Sequence, residues 1–257
     1  MAINFLALSL IISFIVQVLF FTLAARYKTD KFTDFSYGLT FLIIVWILFF
    51  RSGFEAVQTM ILFMITIWSA RLSLYLVVRV VRTGRDKRFD GIREDFIRFA
   101  RFWVLQAVSV CLILLPVIFA FSRSSVGILP VQVLGAVVWV VGFLVETISD
   151  QQKFSFKNKH PDRFISSGLW KYSRHPNYFG EALLWWGIFI ATLPYLSGWL
   201  YISVTGPVFI TTLLLFVSGI PPLEKSYDKK YGKDKKYLEY KRRTSVFVIL
   251  PRSDKIA

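Results

Sequence analysis

A single cysteine, Cys111, stands inside an apolar run, so neither a disulfide framework nor a cysteine metal centre can form within the chain. Only two histidines occur, His160 and His175, which argues against a multi-histidine metal site, and no metal ligand set is expected. There is no Gly-x-Gly-x-x-Gly and no Walker loop, so a nucleotide, if bound, is bound without a Rossmann or P-loop fold. A Gly-x-Ser-x-Gly elbow and a His-Glu-x-x-His pair are also missing, which removes two common hydrolase designs. No repeat shows at a fixed period, which disfavours a transporter built of inverted repeats. Acids are scarce beside bases: 16 Asp and Glu against 31 Lys and Arg, a formal net charge of +15.

Apolar residues are abundant. They make up 55% of the 257 residues, and the mean hydropathy is +0.56, too apolar for an ordinary soluble domain. A bilayer crossing needs roughly 20 apolar residues. Seven stretches approach or reach that length: 3–25, 36–50, 56–81, 102–121, 128–148, 178–197 and 199–217. The second is short and starts among Thr33, Asp34 and Ser36, and the last two are split only by a turn over Pro194 to Gly198. The first has no basic segment before it and a long apolar run, so it reads as a retained span rather than a cleavable leader. Of the 31 basic residues, 27 fall in four segments, 26–34, 82–101, 149–176 and 218–257. Segregation into alternate loops predicts an all-α integral membrane protein of seven transmembrane helices, with the N-terminus outside and the C-terminus cytoplasmic. The whole chain, 1–257, reads as one membrane domain with a cytoplasmic segment 218–257. The positive charge is then a signal of topology and lipid headgroups. Nucleic acid is not an expected partner, because membrane spans separate the basic loops.

The loops and span ends carry the chemistry. Segment Arg82–Arg101 mixes seven basic with four acidic residues, a pattern expected to be salt-bridged and partly helical. Segment 221–251 sets Tyr227, Tyr231, Tyr237, Tyr240 and Phe247 among lysines; an amphipathic helix on anionic lipid and a lid over a cofactor both fit. Within the third span, Arg79 can snorkel to the interface, whereas the deeper Arg71 needs a partner or a wet cavity. Tyr75 follows Arg71 by one turn. Asp34 and Tyr37 share a face of the second span. Asp34 is read either as an N-cap on the Tyr37 amide or as part of a polar pocket with Arg71 or Tyr75. Glu146 and Asp150, four apart at the end of the fifth span, repel unless an arginine (Arg163 or Arg174) or a ligand donor sits between them. Most informative is Gly168-Leu-Trp-Lys-Tyr-Ser-Arg-His-Pro-Asn-Tyr-Phe-Gly-Glu181, which packs Arg174, His175, Asn177 and Glu181 against the mouth of an apolar segment. Charges at a membrane boundary cost several kcal/mol unless paired or bound, so a polar or anionic ligand is expected there. Acids and arginines together suit a dinucleotide, arginines for phosphate and acids for ribose and amide.

Those residues also carry a resemblance. Ser149-Asp150, Arg163-Phe-Ile-x-x-Gly-Leu-Trp-x-Tyr-Ser-Arg-His-Pro-Asn-Tyr-x-Gly-Glu, Leu223-Glu-Lys, Lys230-Tyr-Gly, Tyr240-Lys-Arg-Arg-Thr and, upstream, Arg82-Thr-Gly-Arg-Asp-x-Arg make a pattern that resembles the steroid 5α-reductase family, particularly its bacterial members. The Arg-His-Pro-x-Tyr piece alone also occurs in isoprenylcysteine carboxyl methyltransferases and phospholipid N-methyltransferases. The resemblance implies a seven-helix membrane reductase that uses NADPH to reduce a C=C bond conjugated to a ketone, as in 3-oxo-Δ4 steroids. It implies cofactor contacts from Asn177, Glu181, Arg163, Asp150 and Arg85, with Lys225 and Tyr227 the nearest C-terminal candidates; Glu146, Lys157, Arg174 and His175 complete the expected cofactor set. Animal members hold the ketone with a Gln-Glu pair and a third-span tyrosine. This chain has no such pair, so Asp34, Tyr37, Arg71 and Tyr75 are the expected catalytic substitutes. A wide apolar cavity among spans one to four is expected to admit an apolar steroid- or lipid-like substrate from the bilayer. Membrane lipid is an expected partner, a monomer suffices, and a bacterial inner membrane is the expected residence. An S-adenosylmethionine-dependent membrane methyltransferase is the alternative, and a non-enzymatic lipid-binding scaffold the third reading.

Overall fold

The structure is a computed structural model that describes residues 1–83, 89–124 and 127–251, the side chains of 79–83 excepted. Arg85 and the basic turn around it lie outside the described residues, as does the Arg79 side chain. Among the described residues the chain is helical and holds no β-strand; one isolated parallel bridge joins Ser173 and Ser245. The long helices are α1 (Ala2–Arg26), α2 (Thr33–Phe50), α3 (Ala56–Thr83), α4 (Phe96–Phe121), α5 (Pro130–Lys159) and α6 (Pro176–Thr192). α7 (Thr205–Thr212) follows a 3-10 stretch, Gly198–Val204, and runs through a π-helical turn, Leu213–Val217, towards α8 (Ile220–Tyr231); α9 (Lys235–Arg243) ends the helical part. Among the described residues six helical stretches, one of them Gly198–Tyr231, are long and apolar enough to cross a membrane, and the chain is a multi-pass membrane protein. The sixth expected span is the 17-residue α6, which Pro194 converts into a 3-10 turn, Leu193–Tyr195.

Two compact units emerge, Met1–Val133 with Ala191–Gly206, and Leu134–Ile190 with Pro207–Ala257. In the first, α2 and α3 form an antiparallel hairpin whose register is fixed by Trp46 donating to Thr66 (3.1 Å), by the Phe41–Trp68 ring pair and by Gly38 meeting Ser69 and Ser73. That register brings Tyr75 to the level of Tyr37 on the facing helix. α1, α2 and α4 are joined by a buried network of neutral groups. Gln106 Nε2 donates to Gln17 Oε1 (2.9 Å), the Thr33 carbonyl (3.0 Å) and Ser36 Oγ (3.1 Å), and Gln17 Nε2 donates to Thr40 Oγ1 (2.8 Å). Gln17 is 1% exposed and Gln106 8%. In a membrane protein such amides bind helices together because the bilayer offers no other partner. The interior between these three helices is therefore polar at this level. At the end of this bundle Arg93 pairs with the buried Asp30 (2.5 Å) and with Asp90 and Glu94, so the acidic and basic mixture of this loop is salt-bridged as its pattern predicts. Asp95 accepts from the Ile97 and Arg98 amides, capping α4 six residues before the expected start of the fourth span.

In the second unit α5 and α6 run antiparallel at backbone contact. A Cβ on Gly142 would lie 2.5 Å from the Leu184 nitrogen, one on Gly180 2.5 Å from the Glu146 nitrogen, and one on Gly187 2.5 Å from the Trp139 nitrogen. Small residues spaced by seven let the two backbones touch, a usual device of membrane helix pairs. α5 also continues well past its apolar part, to Lys159, so that its polar end stands beside the start of α6.

Candidate functional site

The α5–α6 contact is what assembles the site. Because Gly180 abuts Glu146, the next turn of each helix puts Asp150 beside Asn177, and Asn177 Nδ2 donates to Asp150 Oδ1 at 3.2 Å. Glu146 and Asp150 are buried and Glu181 half-buried. The loop before α6 is held by the same end of α5: Gly168 adopts φ +61, a left-handed turn that places the Leu169 amide on Gln152 Oε1 (2.9 Å). Trp170 Nε1 donates to the Ser149 carbonyl (3.0 Å). These bonds fix the loop that presents Arg174 and His175.

Arg174 and His175 converge on one carboxylate, Glu224 of α8. Arg174 Nη1 donates to Glu224 Oε2 at 2.7 Å, His175 Nε2 lies 2.9 Å from Oε1, and Lys241 of α9 approaches Oε2 at 3.4 Å. Lys241 also reaches both oxygens of Asp228 (2.6 and 2.7 Å), which in turn accepts from the Tyr237 hydroxyl at 2.9 Å. Arg174 is 9% exposed and His175 1%. Burial is the main cause that holds the His175 pKa below the usual imidazole value; Lys153 and Arg174 push the same way and Glu224 opposes them. The Tyr237 phenol is pushed above its usual value by burial and by its bond to Asp228. Three buried polar atoms here, Arg174 Nε, His175 Nδ1 and Asn177 Oδ1, have no hydrogen-bond partner among the described residues. A buried polar atom without a protein partner leaves a place that water or a ligand can fill.

The C-terminal segment packs over the same loop. The Arg174 amide donates to the Ser245 carbonyl (2.8 Å), Ser173 Oγ to the Phe247 carbonyl (2.7 Å), and Tyr240 Oη to the Trp170 carbonyl (2.7 Å). Tyr231, Tyr237 and Tyr240 are buried around Phe164. The aromatic side chains of this segment therefore pack on the protein's own loop.

The other expected residues fall as follows. Lys157 donates from Nζ to the Arg163 carbonyl (2.5 Å) and the Tyr231 hydroxyl (3.0 Å), while the Arg163 side chain is exposed. Lys225 is exposed on α8, and Tyr227 lies under Lys153, whose ammonium sits 4.9 Å over the Trp170 ring and 5.8 Å over the Tyr227 ring. In the first unit Asp34 is not the N-cap of α2; Phe32 is, and Asp34 stands in the first turn, where a negative charge complements the helix dipole. Arg71 lies over the Tyr75 ring at 5.7 Å, and Tyr37 stacks edge-on against Phe41. Sequence reasoning passed over Glu224 and Lys241 as site members. Glu224 stands in the Leu223-Glu-Lys motif, but fifty residues separate it from Arg174, and no local spacing relates them. The seven-residue interval between Gly135 and Gly142, repeated between Gly180 and Gly187, was the signal that could have paired α5 with α6.

A family model described as a protein of unknown function, DUF1295, matches residues 20–244. No curated protein matches the chain. No solved structure matches it either.

Proposed function

The chain belongs to the DUF1295 family, and we propose that it is a membrane reductase that uses NADPH to reduce a C=C bond conjugated to a ketone in a flat apolar substrate of the 3-oxo-Δ4 steroid type. One observation carries this reading: at the start of α6 Asn177 is bonded to Asp150 and Arg174 and His175 converge on Glu224, while Arg174 Nε, His175 Nδ1 and Asn177 Oδ1 stay buried without partners among the described residues. On this reading the chain has seven spans, an outside N-terminus and a cytoplasmic C-terminus, and the cluster faces the cytoplasm. α6 supports the count: 17 residues at ~1.5 Å each, extended by its 3-10 turn at ~2 Å per residue, span about 30 Å, close to the thickness of a hydrocarbon core.

The residues present fit a dinucleotide. Arg174, Lys241 and Lys153 supply positive charge, Asp150 and Glu181 acceptors for ribose hydroxyls, and Asn177 with His175 a mixed donor and acceptor set for an amide. Arg85, Arg163, Lys225 and Tyr227 are the further contacts that the steroid 5α-reductase resemblance implies, and Glu146 and Lys157 complete the expected set. Glu224 already satisfies Arg174 with a carboxylate, so an anionic group that reaches Arg174 competes with Glu224 for it. When bound, NADPH supplies a hydride. The chain's own task is to hold the ketone, whose oxygen gains negative charge as the β-carbon is reduced. A hydroxyl from Tyr37 or Tyr75 donates a hydrogen bond to that oxygen and stabilises the enolate, which takes a proton from water at its α-carbon to give the saturated ketone; Asp34 and Arg71 set the polarity of the two hydroxyls. Incubation of the purified protein with progesterone and NADPH tests this reading, with the 4,5-dihydro ketone as expected product. Tyr37→Phe, Tyr75→Phe and Asp34→Asn should each slow product formation, and wild-type rates in all three would remove these residues from the mechanism.

A second reading, an S-adenosylmethionine-dependent methyltransferase, is favoured by one observation. Lys153 over Trp170 and Tyr227 is a cation held on aromatic faces, which a sulfonium also satisfies. The density of charged partners around Arg174 favours the phosphate-bearing cofactor.

A further inference from the structure

A second pocket lies on the second unit, formed by one face of α9 and the loop before Gly168. Its volume is about 220 Å3 and its lining is Phe164, Ser166, Lys236, Glu239, Tyr240 and Arg243. Lys236 and Arg243 are seven apart on α9, with Glu239 and Tyr240 between them, so all four project from one helix face. The floor is aromatic: the Phe164 and Tyr240 rings stack at 5.5 Å and 30°. The frame is rigid. Asp234 caps α9 through the Lys236 amide (2.8 Å), the Tyr237 hydroxyl is tied to Asp228 and the Tyr240 hydroxyl to the Trp170 carbonyl. Glu239 lies 3.3 Å from Arg243 Nη1 and orients the guanidinium. Arg243 Nε and the neighbouring Thr244 hydroxyl are buried without a partner among the described residues.

We propose that this pocket binds the phosphate monoester of a hydroxyl-bearing ring. Lys236 and Arg243 straddle the space and take the phosphate, the arginine through its planar fork and the lysine as a point charge. Glu239 would repel a bare anion, yet it accepts hydrogen bonds from hydroxyls beside the phosphate, and Ser166 offers a further hydroxyl from the opposite wall. The stacked Phe164 and Tyr240 rings present an apolar face to the ring of the ligand. The volume lies below the roughly 300–1,000 Å3 of drug-sized ligand sites, which suits a phosphorylated sugar and excludes a whole dinucleotide. Two sources carry this chemistry, a soluble nucleotide or sugar phosphate and the phosphorylated headgroup of a lipid. The inference does not rest on the reductase reading.

Binding to the detergent-purified full chain tests it, with four probes: ribose 5-phosphate, adenosine 2′-monophosphate, inorganic phosphate, and nanodiscs containing phosphatidylinositol 4-phosphate. The expected result is saturable binding of a sugar phosphate, or of the phosphoinositide nanodiscs alone, stronger than that of inorganic phosphate. The first outcome assigns a soluble ligand and the second a lipid. Lys236→Ala, at an exposed position, should weaken binding about tenfold without changing the melting temperature. Arg243→Lys, which keeps the charge and loses the fork, should also weaken it. No binding by any probe, or binding in which inorganic phosphate equals the sugar phosphates and both variants match wild type, overturns the assignment.

Discussion

Each of the two units contains a polar network, and the two networks are built in opposite ways. In the first unit Gln17, Gln106, Ser36 and Thr40 are neutral, and their amide donors are matched to oxygens at 2.8–3.1 Å. In the second, Arg174, His175, Glu224, Lys241 and Asp228 are ionisable groups, and polar atoms of Arg174, His175 and the nearby Asn177 remain buried without partners among the described residues. A matched neutral network does nothing but join helices. A charged one with atoms to spare is costly to keep for stability alone, since buried ion pairs barely offset their desolvation. On the proposed reading the first network is structural and the second holds the ligand.

The largest effect should come from the helix contact that builds the charged cluster. Gly180→Leu drives a side chain into the α5 backbone and should cost about 3 kcal/mol or more, read as a lowered melting temperature in detergent together with lost nucleotide binding. Glu224→Gln separates stability from binding. Loss of the charged bonds to Arg174, His175 and Lys241 should cost about 2 kcal/mol, while removal of a competing carboxylate should tighten NADPH binding roughly tenfold, on the order of 1.4 kcal/mol. Weaker binding in that variant would mean that Glu224 serves the ligand rather than standing in its place. Gln106→Leu strands the oxygens of Gln17 and Ser36 and should cost about 1 kcal/mol, with NADPH affinity unchanged; altered affinity would erase the contrast between the two networks.

The smallest expected effect is one of pH. His175 is held below its ordinary value of 6.5, chiefly by burial. Its folded state therefore binds fewer protons than the unfolded chain. The stability it contributes is complete above about pH 6.5 and is lost as pH falls through the lowered folded-state value. Melting temperatures between pH 5 and 7.5 should show that decline in wild type and a shallower one in His175→Gln.

Hydropathy located the long helices because each must carry an apolar stretch. The expected 3–25 and 56–81 correspond to Ala2–Arg26 and Ala56–Thr83 almost residue for residue. It missed where a helix runs beyond its apolar part, as α5 does to Lys159, because backbone hydrogen bonding does not stop at the edge of hydrophobicity. It also read 199–217 as one uniform span, whereas the backbone there passes from 3-10 to α to π pairing. Apolar count carries no information on which carbonyl an amide selects. Asp150 on α5, Asn177 on α6 and Arg174 and His175 in the loop before it were legible because polar residues at span ends are conspicuous. Glu224 and Lys241 were not, because α8 and α9 are polar throughout and their inward face is decided by packing of Tyr237 and Tyr240 on Phe164.

Affinity for NADPH and for S-adenosylmethionine, measured side by side on the purified full-length protein and on Asn177→Ala, bears most directly on the role of the charged cluster. The account predicts saturable NADPH binding, weakened about tenfold by the substitution, and no binding of S-adenosylmethionine. Binding of S-adenosylmethionine alone, or NADPH binding indifferent to Asn177, would contradict it.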